Sequence, residues 1–207
     1  MGKRIFFTAC IALVATGLTL NSCDFISGVD VADQGSIDRL LRKNIEKHIG
    51  SQSIIYEISL GTTSDFSTEM NVITVTFMEP GSSEVKKYNL TVPGNQEPRD
   101  NSKFVDRKLK DRTAEEGVKL SDADFSQIAS NVNKGAEIIK PENMNLDGVN
   151  NYRITFDKDP SKAIHKFSIL SRAGTEFGSR HGRAALVTNY YKVDFKADAS
   201  GNVTVVE

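Results

Sequence analysis

The sequence contains few of the residues that most often carry protein chemistry. Tryptophan is absent, and the 207 residues include 2 cysteines, 3 histidines and 5 prolines. The absence of tryptophan argues against the aromatic platforms typical of sugar-binding modules. The motifs HExxH, GxSxG and GxGxxG and the P-loop are also absent, which argues against the zinc proteases, serine hydrolases and nucleotide-binding folds that carry them. We therefore predict no catalytic residue, no metal site and no cofactor.

Neither sign of charge dominates the chain. Lysine and arginine number 26, aspartate and glutamate number 27, and the formal net charge is −1. This balance does not favour nucleic acid or an anionic membrane surface as a partner. With 39% hydrophobic residues, the chain can fill the core of one good-sized domain or of two small ones.

The amino terminus has the pattern of an export signal. Lys3 and Arg4 precede an uncharged, largely apolar run from Ile5 to Leu20, which matches the basic and apolar regions of a secretory signal peptide. The run is short for a helix that crosses a hydrocarbon layer of roughly 30 Å, and polar residues follow it directly. We therefore expect residues 1–22 to be cleaved off rather than retained as a membrane span.

The four residues that end this run are Leu20-Asn21-Ser22-Cys23, and they resemble the lipobox of bacterial lipoproteins. Leu20 and Ser22 match the family's usual residues, and Asn21 departs from them at the least restricted position. The resemblance covers the first 23 residues. It implies that a dedicated signal peptidase cuts before Cys23 after the thiol has been acylated, which leaves a diacylglycerol thioether on Cys23. Acyl chains of this kind attach a protein to a membrane without taking it across.

The same resemblance implies a location in the cell envelope, on the inner or the outer membrane and facing either the periplasm or the outside. Asp24 resembles a signal that keeps lipoproteins in the inner membrane of some bacteria. The other cysteine, Cys10, lies in the segment to be cleaved, so no disulfide is expected. The alternative interpretation is that Cys23 is an unpaired cysteine in a secreted chain.

Beyond the anchor, the sequence predicts an α+β fold built from two repeats. Each repeat is a helix followed by antiparallel strands, so that helices pack on a curled sheet, an arrangement that loosely resembles cystatin-like modules. The predicted organisation is residues 1–22 as signal peptide, 23–35 as tether, 36–92 as first repeat, 93–117 as charged linker and 118–207 as second repeat.

The helices and strands of these repeats are predicted from hydrophobic periodicity. Helical spacing begins after Ser36 as N-cap, and a second helix is predicted to begin at Ser121, capped by Asp122 and Asp124. Alternation of apolar and polar residues predicts the strands. These strands are Ser53–Leu60, Asn71–Glu79, Glu84–Val92, Ala185–Lys196 and Val203–Val206, together with a second hairpin around Thr155 to Ile169.

Internal similarity is the argument for duplication. Placing Thr155-Phe156 on Thr76-Phe77, an offset of 79, aligns two hairpins without a gap. An offset of 84 places Ile138-Ile139 on Ile54-Ile55 and the second helix on the first. We therefore infer two copies of one unit.

The candidate functional site is a predicted loop over residues 172–183, which concentrates three arginines, a histidine and three glycines between two strands. Glycine lets a backbone approach a ligand closely, and the arginine fork suits a carboxylate or phosphate group. The alternative is a flexible, solvated connection. The candidate ligand-binding residues are Arg172, Arg180, His181 and Arg183.

The remaining histidines are assigned structural roles. His48 lies on the apolar side of the first helix near its end, which favours capping or packing. His165 lies beside Lys166, at the place of Lys86 in the first hairpin, and both His165 and Lys86 are predicted to face solvent.

Three classes of function stay open at this point. The first is a non-enzymatic envelope lipoprotein that binds a ligand or another envelope protein, for example as an accessory subunit. The second is a hydrolase that uses Ser179, His181 and Glu176, although one glycine-rich loop gives these residues no fixed geometry. The third is a spacer domain without a ligand.

Overall fold

The computed structural model describes residues 28–64, 66–92, 96–159, 162–180 and 183–206. For residues 176–180 and 183–187 it describes the backbone alone. The signal segment and Cys23 therefore lie outside the described residues.

Eleven strands and four α-helical segments account for most of the described chain. The strands are β1 (Val29–Asp30), β2 (Ile54–Gly61), β3 (Glu69–Met70), β4 (Val72–Met78), β5 (Val85–Thr91), β6 (Arg99–Asp100), β7 (Val118–Lys119), β8 (Gly148–Thr155), β9 (Ile164–Arg180), β10 (Arg183–Ala197) and β11 (Val203–Val205). The helices are α1 (Gln34–Ser36), which runs through a π-helical turn (Ile37–Leu41) into α2 (Arg42–Ile49), then α3 (Arg107–Lys110) and α4 (Gln127–Ile139). Short 3-10 turns occupy Ser102–Phe104, Ala114–Glu116, Leu120–Asp122 and Lys140–Glu142.

Nine of the described strands form one antiparallel sheet in the order β11-β10-β9-β8-β2-β4-β5-β6, with β7 also pairing with β2. The centre of this sheet is the pairing of β2 with β8, where Ser59 lies opposite Arg153. Strands from both predicted repeats therefore belong to the same sheet. Together with the helices they make an α+β fold, which confirms the predicted fold class.

The core forms where the helices cover one face of the sheet. In β4, Ile73, Val75 and Phe77 alternate with more polar residues, and all three are fully buried, as expected of a strand with one covered face. Ile45 of α2 and Val132 of α4 belong to the same core. One continuous apolar cluster thus joins both halves of the chain, and its burial is the main source of stability.

Aromatic rings fill the part of this core under α4. The ring of Phe167 stacks on Tyr152 with centroids 5.3 Å apart, and on Phe195 with centroids 5.1 Å apart. These residues come from β8, β9 and β10, so the stack ties three adjacent strands together. Pairs of this kind contribute about 0.5–1.5 kcal/mol beyond the area they bury.

The folded part begins earlier than the sequence predicts. Val29 and Val31 fall in the predicted tether but are fully buried, and β1 pairs with β3. The predicted N-cap, Ser36, is wrong: the first helix starts at Gln34, and the Asp33 side chain caps it by accepting from the Gly35 amide at 3.0 Å. Ser36 instead accepts a hydrogen bond from the Asp30 amide at 3.0 Å.

The second helix begins later than predicted. Ser121 and Asp122 lie in a 3-10 turn, α4 starts at Gln127, and the Asp124 carboxylate accepts from the Ser126 amide at 2.8 Å. The offset of 84 also fails in detail: Ile54 and Ile55 begin a strand, whereas Ile138 and Ile139 end α4. The likeness of these isoleucine pairs is one of composition and not of conformation.

Candidate functional site

The predicted functional loop is a two-stranded ribbon. β9 and β10 pair continuously from Ala197 opposite His165 to Arg183 opposite Arg180, with one bulge near Asn189. The pairing of β9 with β8 ends at Leu170. We call residues 173–180 and 183–189 the arm. At about 3.4 Å per residue it extends roughly 25 Å past the sheet. The prediction of a loop is therefore wrong, because glycine is depleted in strands and its density over this segment favoured a turn.

The base of the arm is held by three contacts. The Arg172 guanidinium lies over the Phe66 ring, 4.8 Å from its centroid, and Phe66 meets Tyr190 edge to face at 5.8 Å. The Arg172 amide donates to the Asp147 carboxylate at 2.7 Å. Phe66 itself adopts a left-handed backbone with φ of 53°, a conformation that an aromatic residue keeps only where its surroundings require it. Arg172 thus positions the arm.

The other predicted ligand-binding residues lie at the far end of the arm. Arg180 and Arg183 are directly opposite each other and are the last described pair. His181 lies outside the described residues. The arm therefore brings Arg180 and Arg183 together and separates both from Arg172, so the four residues do not form one cluster.

Two tyrosines near the base of the arm add a feature that the sequence analysis did not single out. Tyr190 is 55% exposed and Tyr191 is 58% exposed. Tyrosine is enriched at protein interfaces because its ring buries a large apolar area while the hydroxyl keeps a hydrogen bond. The sequence shows that these two tyrosines are adjacent, but it does not show that they are exposed, because their exposure depends on where the neighbouring strands of the sheet end.

His165 is buried, which corrects the prediction that it faces solvent. It is 3% exposed, and its Nδ1 lies 2.9 Å from the Tyr152 hydroxyl. The Asn131 amide donates to the same hydroxyl at 3.1 Å, so this hydroxyl joins the asparagine and the imidazole in one network. Burial lowers the pKa of His165 to about 4, against the opposing charges of Asp124 and Asp198. This network lies in the core and stabilises it.

A row of polar residues crosses the face of the sheet opposite the helices. Its members alternate with buried residues along their strands, as Arg153 does with Tyr152 and Ile154, so they project away from the core. Sequence reasoning missed this row because its members come from seven different strands. In register order, the polar row is Arg99, Asn89, Thr74, Ser59, Arg153, Lys166 and Lys196.

Two clefts lie along the polar row and meet at Arg153. One, of about 400 Å³, is lined by Ser59, Thr74, Asn89 and the exposed Phe104. The other, of about 320 Å³, includes Lys166. Arg153 contributes to both, so the clefts together make a groove along the row from Arg99 to Lys166, and Lys196 lies outside it.

Ion pairing along this face is sparse. The Arg153 Nε lies 3.9 Å from a Glu57 carboxylate oxygen, at the limit of an ion pair, and the Arg153 side chain is 47% exposed. Asp194 is engaged by Lys192 at 3.0 Å and by the Ser168 hydroxyl, which holds the pKa of Asp194 below its usual value. The cations of the row therefore keep most of their charge available.

In the described ranges, no group of three or more histidine, cysteine, aspartate or glutamate side chains is arranged to hold a metal ion. Among those residues, no helix has both the length and the apolar character needed to cross a membrane. In comparisons with known proteins, no family model, no curated protein and no solved structure matches this chain.

Proposed function

We propose that the chain is a lipid-anchored protein of the bacterial cell envelope that binds another envelope protein through its arm and performs no chemistry itself. The support for the anchor is the lipobox resemblance at Cys23, with only five residues between this cysteine and the first strand at Val29. A connection this short holds the sheet close to the bilayer. The observation that carries the binding role is the arm.

The geometry of the arm suits a protein partner. Beyond Arg172, β9 and β10 pair only with each other among the described strands, so each has an outer edge of backbone N–H and C=O groups. Such an edge accepts a further strand from a partner. The exposed Tyr190 and Tyr191 provide ring surface at its base, and paired arginines end it.

We further propose that the chain is a duplication of a loosely cystatin-like αβββ unit. Support comes from the strand order: β2, β4 and β5 follow the first helix, β8, β9 and β10 follow α4, and the first strands of the two sets adjoin. In this scheme β8, β9 and β10 correspond to β2, β4 and β5, whereas the offset of 79 places β8 on β4 and β9 on β5, so the scheme rests on the strand order and not on that offset.

The arm is tested by removing its terminal charges. In the full chain with a carboxyl-terminal tag, Arg180→Ala together with Arg183→Ala is expected to lower the recovery of a crosslinked partner from native membranes by about tenfold, as for loss of two interface arginines. The measurement is quantitative mass spectrometry of the crosslinked material.

Arg39→Ala with Arg107→Ala is the matched control, because both side chains are exposed and the pair removes the same charge away from the arm. Recovery close to wild type is expected for this control. Equal recovery from the arm variant and wild type would show that the arm end does not bind, and equal loss in both variants would show a non-specific charge effect.

A further inference from the structure

The open face of the sheet concentrates positive charge on a chain whose net charge is −1. Four of the seven members of the polar row are cations and none is acidic, while one carboxylate lines each cleft beside the row, Glu57 in one and Asp194 in the other. Strands lie about 4.8 Å apart, so the row spans roughly 30 Å. A segregated line of charge of this length is a surface feature that overall composition conceals.

Three of these cations are direct cross-strand neighbours. Arg153 lies opposite Lys166, and Lys166 lies opposite Lys196. Like charges in opposite positions of a sheet destabilise it. In the described part of the chain, no carboxylate lies within ion-pair distance of Lys166 or Lys196. The fold therefore retains a repulsion that an anionic ligand would relieve.

The neutral members of the row add directional groups between the charges. The Ser59 hydroxyl bonds the Asn151 amide oxygen at 2.8 Å, and the Thr74 hydroxyl bonds the Asn89 amide oxygen at 3.1 Å. These bonds fix the side chains and leave the amide N–H groups of both asparagines free of any bond with a described residue. Fixed amides and hydroxyls at the floor of a cleft recognise hydroxyl groups of a ligand.

The shape and composition of the face distinguish between classes of polyanion. Single-stranded nucleic acid is bound on several stacking aromatic side chains, whereas the row contains none and Phe104 is the single exposed aromatic side chain among the described residues that line the two clefts. A bilayer presents a flat surface, whereas the row from Arg99 to Lys166 lies in a groove formed by two clefts that meet at Arg153. A linear chain of sugars fits both the groove and a row in which three neutral polar residues lie between Arg99 and the three cations Arg153, Lys166 and Lys196.

We propose that the polar row binds a linear acidic polysaccharide, a polymer whose carboxylate or sulfate groups meet the cations at Arg99, Arg153, Lys166 and Lys196 and whose hydroxyls meet Ser59, Thr74 and Asn89. Recognition by charge and amides requires no tryptophan platform. This site lies on the sheet, away from the arm, so it is independent of the proposed protein partner.

The experiment measures binding of the full chain in detergent to polygalacturonate, to dextran sulfate and to neutral dextran by titration calorimetry. Wild-type protein is expected to bind at least one acidic polymer and not the neutral one, with affinity that falls as salt is raised. Arg153→Gln with Lys166→Gln is expected to weaken binding about tenfold or more, because two charge-assisted contacts are lost. Both side chains are exposed, so the variant should fold.

Two controls make the result specific. Lys108→Gln with Lys110→Gln removes the same charge from the exposed side of α3 and should leave binding within about twofold of wild type. The arm variant Arg180→Ala with Arg183→Ala should bind polysaccharide as wild type does, which separates this site from the proposed function.

The proposal is overturned if neither acidic polymer binds, or if the α3 control loses as much affinity as the row variant. It is also overturned if single-stranded DNA or phosphatidylglycerol vesicles bind through Arg153 and Lys166 while both polysaccharides do not. These last outcomes would assign the row to nucleic acid or to the bilayer.

Discussion

Lowering the pH from 7 to 5 is expected to reduce the free energy of unfolding by about 2 kcal/mol through His165 alone. The imidazole is 3% exposed and its Nδ1 lies 2.9 Å from the Tyr152 hydroxyl, and burial lowers its pKa from 6.5 to about 4. Between these two values the unfolded chain binds a proton that the folded chain does not, so stability is complete above pH 6.5 and falls as the pH decreases towards 4.

The measurement is urea unfolding followed by far-ultraviolet circular dichroism at pH 7, 6 and 5. This range lies above the ordinary carboxylate pKa values, so the aspartates with lowered pKa, such as Asp194, contribute little. In His165→Gln the pH dependence should become much flatter.

His48→Gln is the matched control for His165. Burial and Lys47 also lower the pKa of His48, but this side chain is only half-buried, so its removal should leave most of the pH dependence in place. If the free energy of unfolding of His165→Gln falls with decreasing pH as steeply as that of wild type, the buried neutral imidazole is not the source of the pH dependence.

Gly148→Val is expected to destabilise the fold by about 3 kcal/mol or more. A Cβ at this position would lie 2.6 Å from the Phe66 Cα and 2.6 Å from the Ser67 amide nitrogen. Both are backbone atoms, so no side-chain rotation relieves the contact. The neighbouring bond from the Val149 amide to the Ser67 carbonyl, 2.9 Å long, would be displaced with them.

Gly61→Val provides the matched comparison. Gly61 also lies in a central strand, but a Cβ there meets nothing within 4 Å, and valine suits an extended backbone. Urea unfolding at pH 7 should show this variant within about 0.5 kcal/mol of wild type. Equal stability of the two variants would contradict the close packing assigned to Gly148.

The Gly148→Val substitution also tests how the base of the arm is held in place. Phe66 contacts both Arg172 and Tyr190, so displacing the segment at Phe66 should loosen the base of the arm. Hydrogen exchange at the Arg172 amide, which donates to Asp147, is expected to be faster in Gly148→Val than in wild type. Unchanged exchange there would show that Phe66 does not support the arm.

The strands were largely predictable because alternation of apolar and polar residues is a local signal. The five predicted strands outside the second hairpin correspond to β2, β4, β5, β10 and β11 with ends that differ by no more than two residues. The fold class followed from them. The helix starts were less accurate, because several polar residues near each start can cap a helix and only tertiary contacts select one.

His165 shows a local signal that was misread. It precedes Phe167 and Ile169 by two and four residues, so strand alternation alone places it on the apolar face. The prediction instead followed the alignment of His165 with Lys86 of the first hairpin, which placed His165 in solvent. A histidine in phase with two large apolar residues on one strand indicates a core position.

The arm and the polar row depended on information that is not local. The ribbon over 172–180 continues because its partner strand continues, despite glycines that favour a turn. The polar row exists because Ser59 pairs with Arg153 across the centre of the sheet. These two residues are far apart in the sequence, and no local pattern predicts that they are neighbours. Register across a sheet is fixed by the packing of whole faces, so both features appear only in the fold.

The central claim is that the folded sheet works at a membrane to which Cys23 attaches it, and intact-mass spectrometry of the full chain extracted from its native membranes tests this most directly. The account predicts a chain that begins at Cys23 and carries the added mass of a diacylglycerol group. A chain that still contains residues 1–22, or one that begins at an unmodified Cys23, would contradict it.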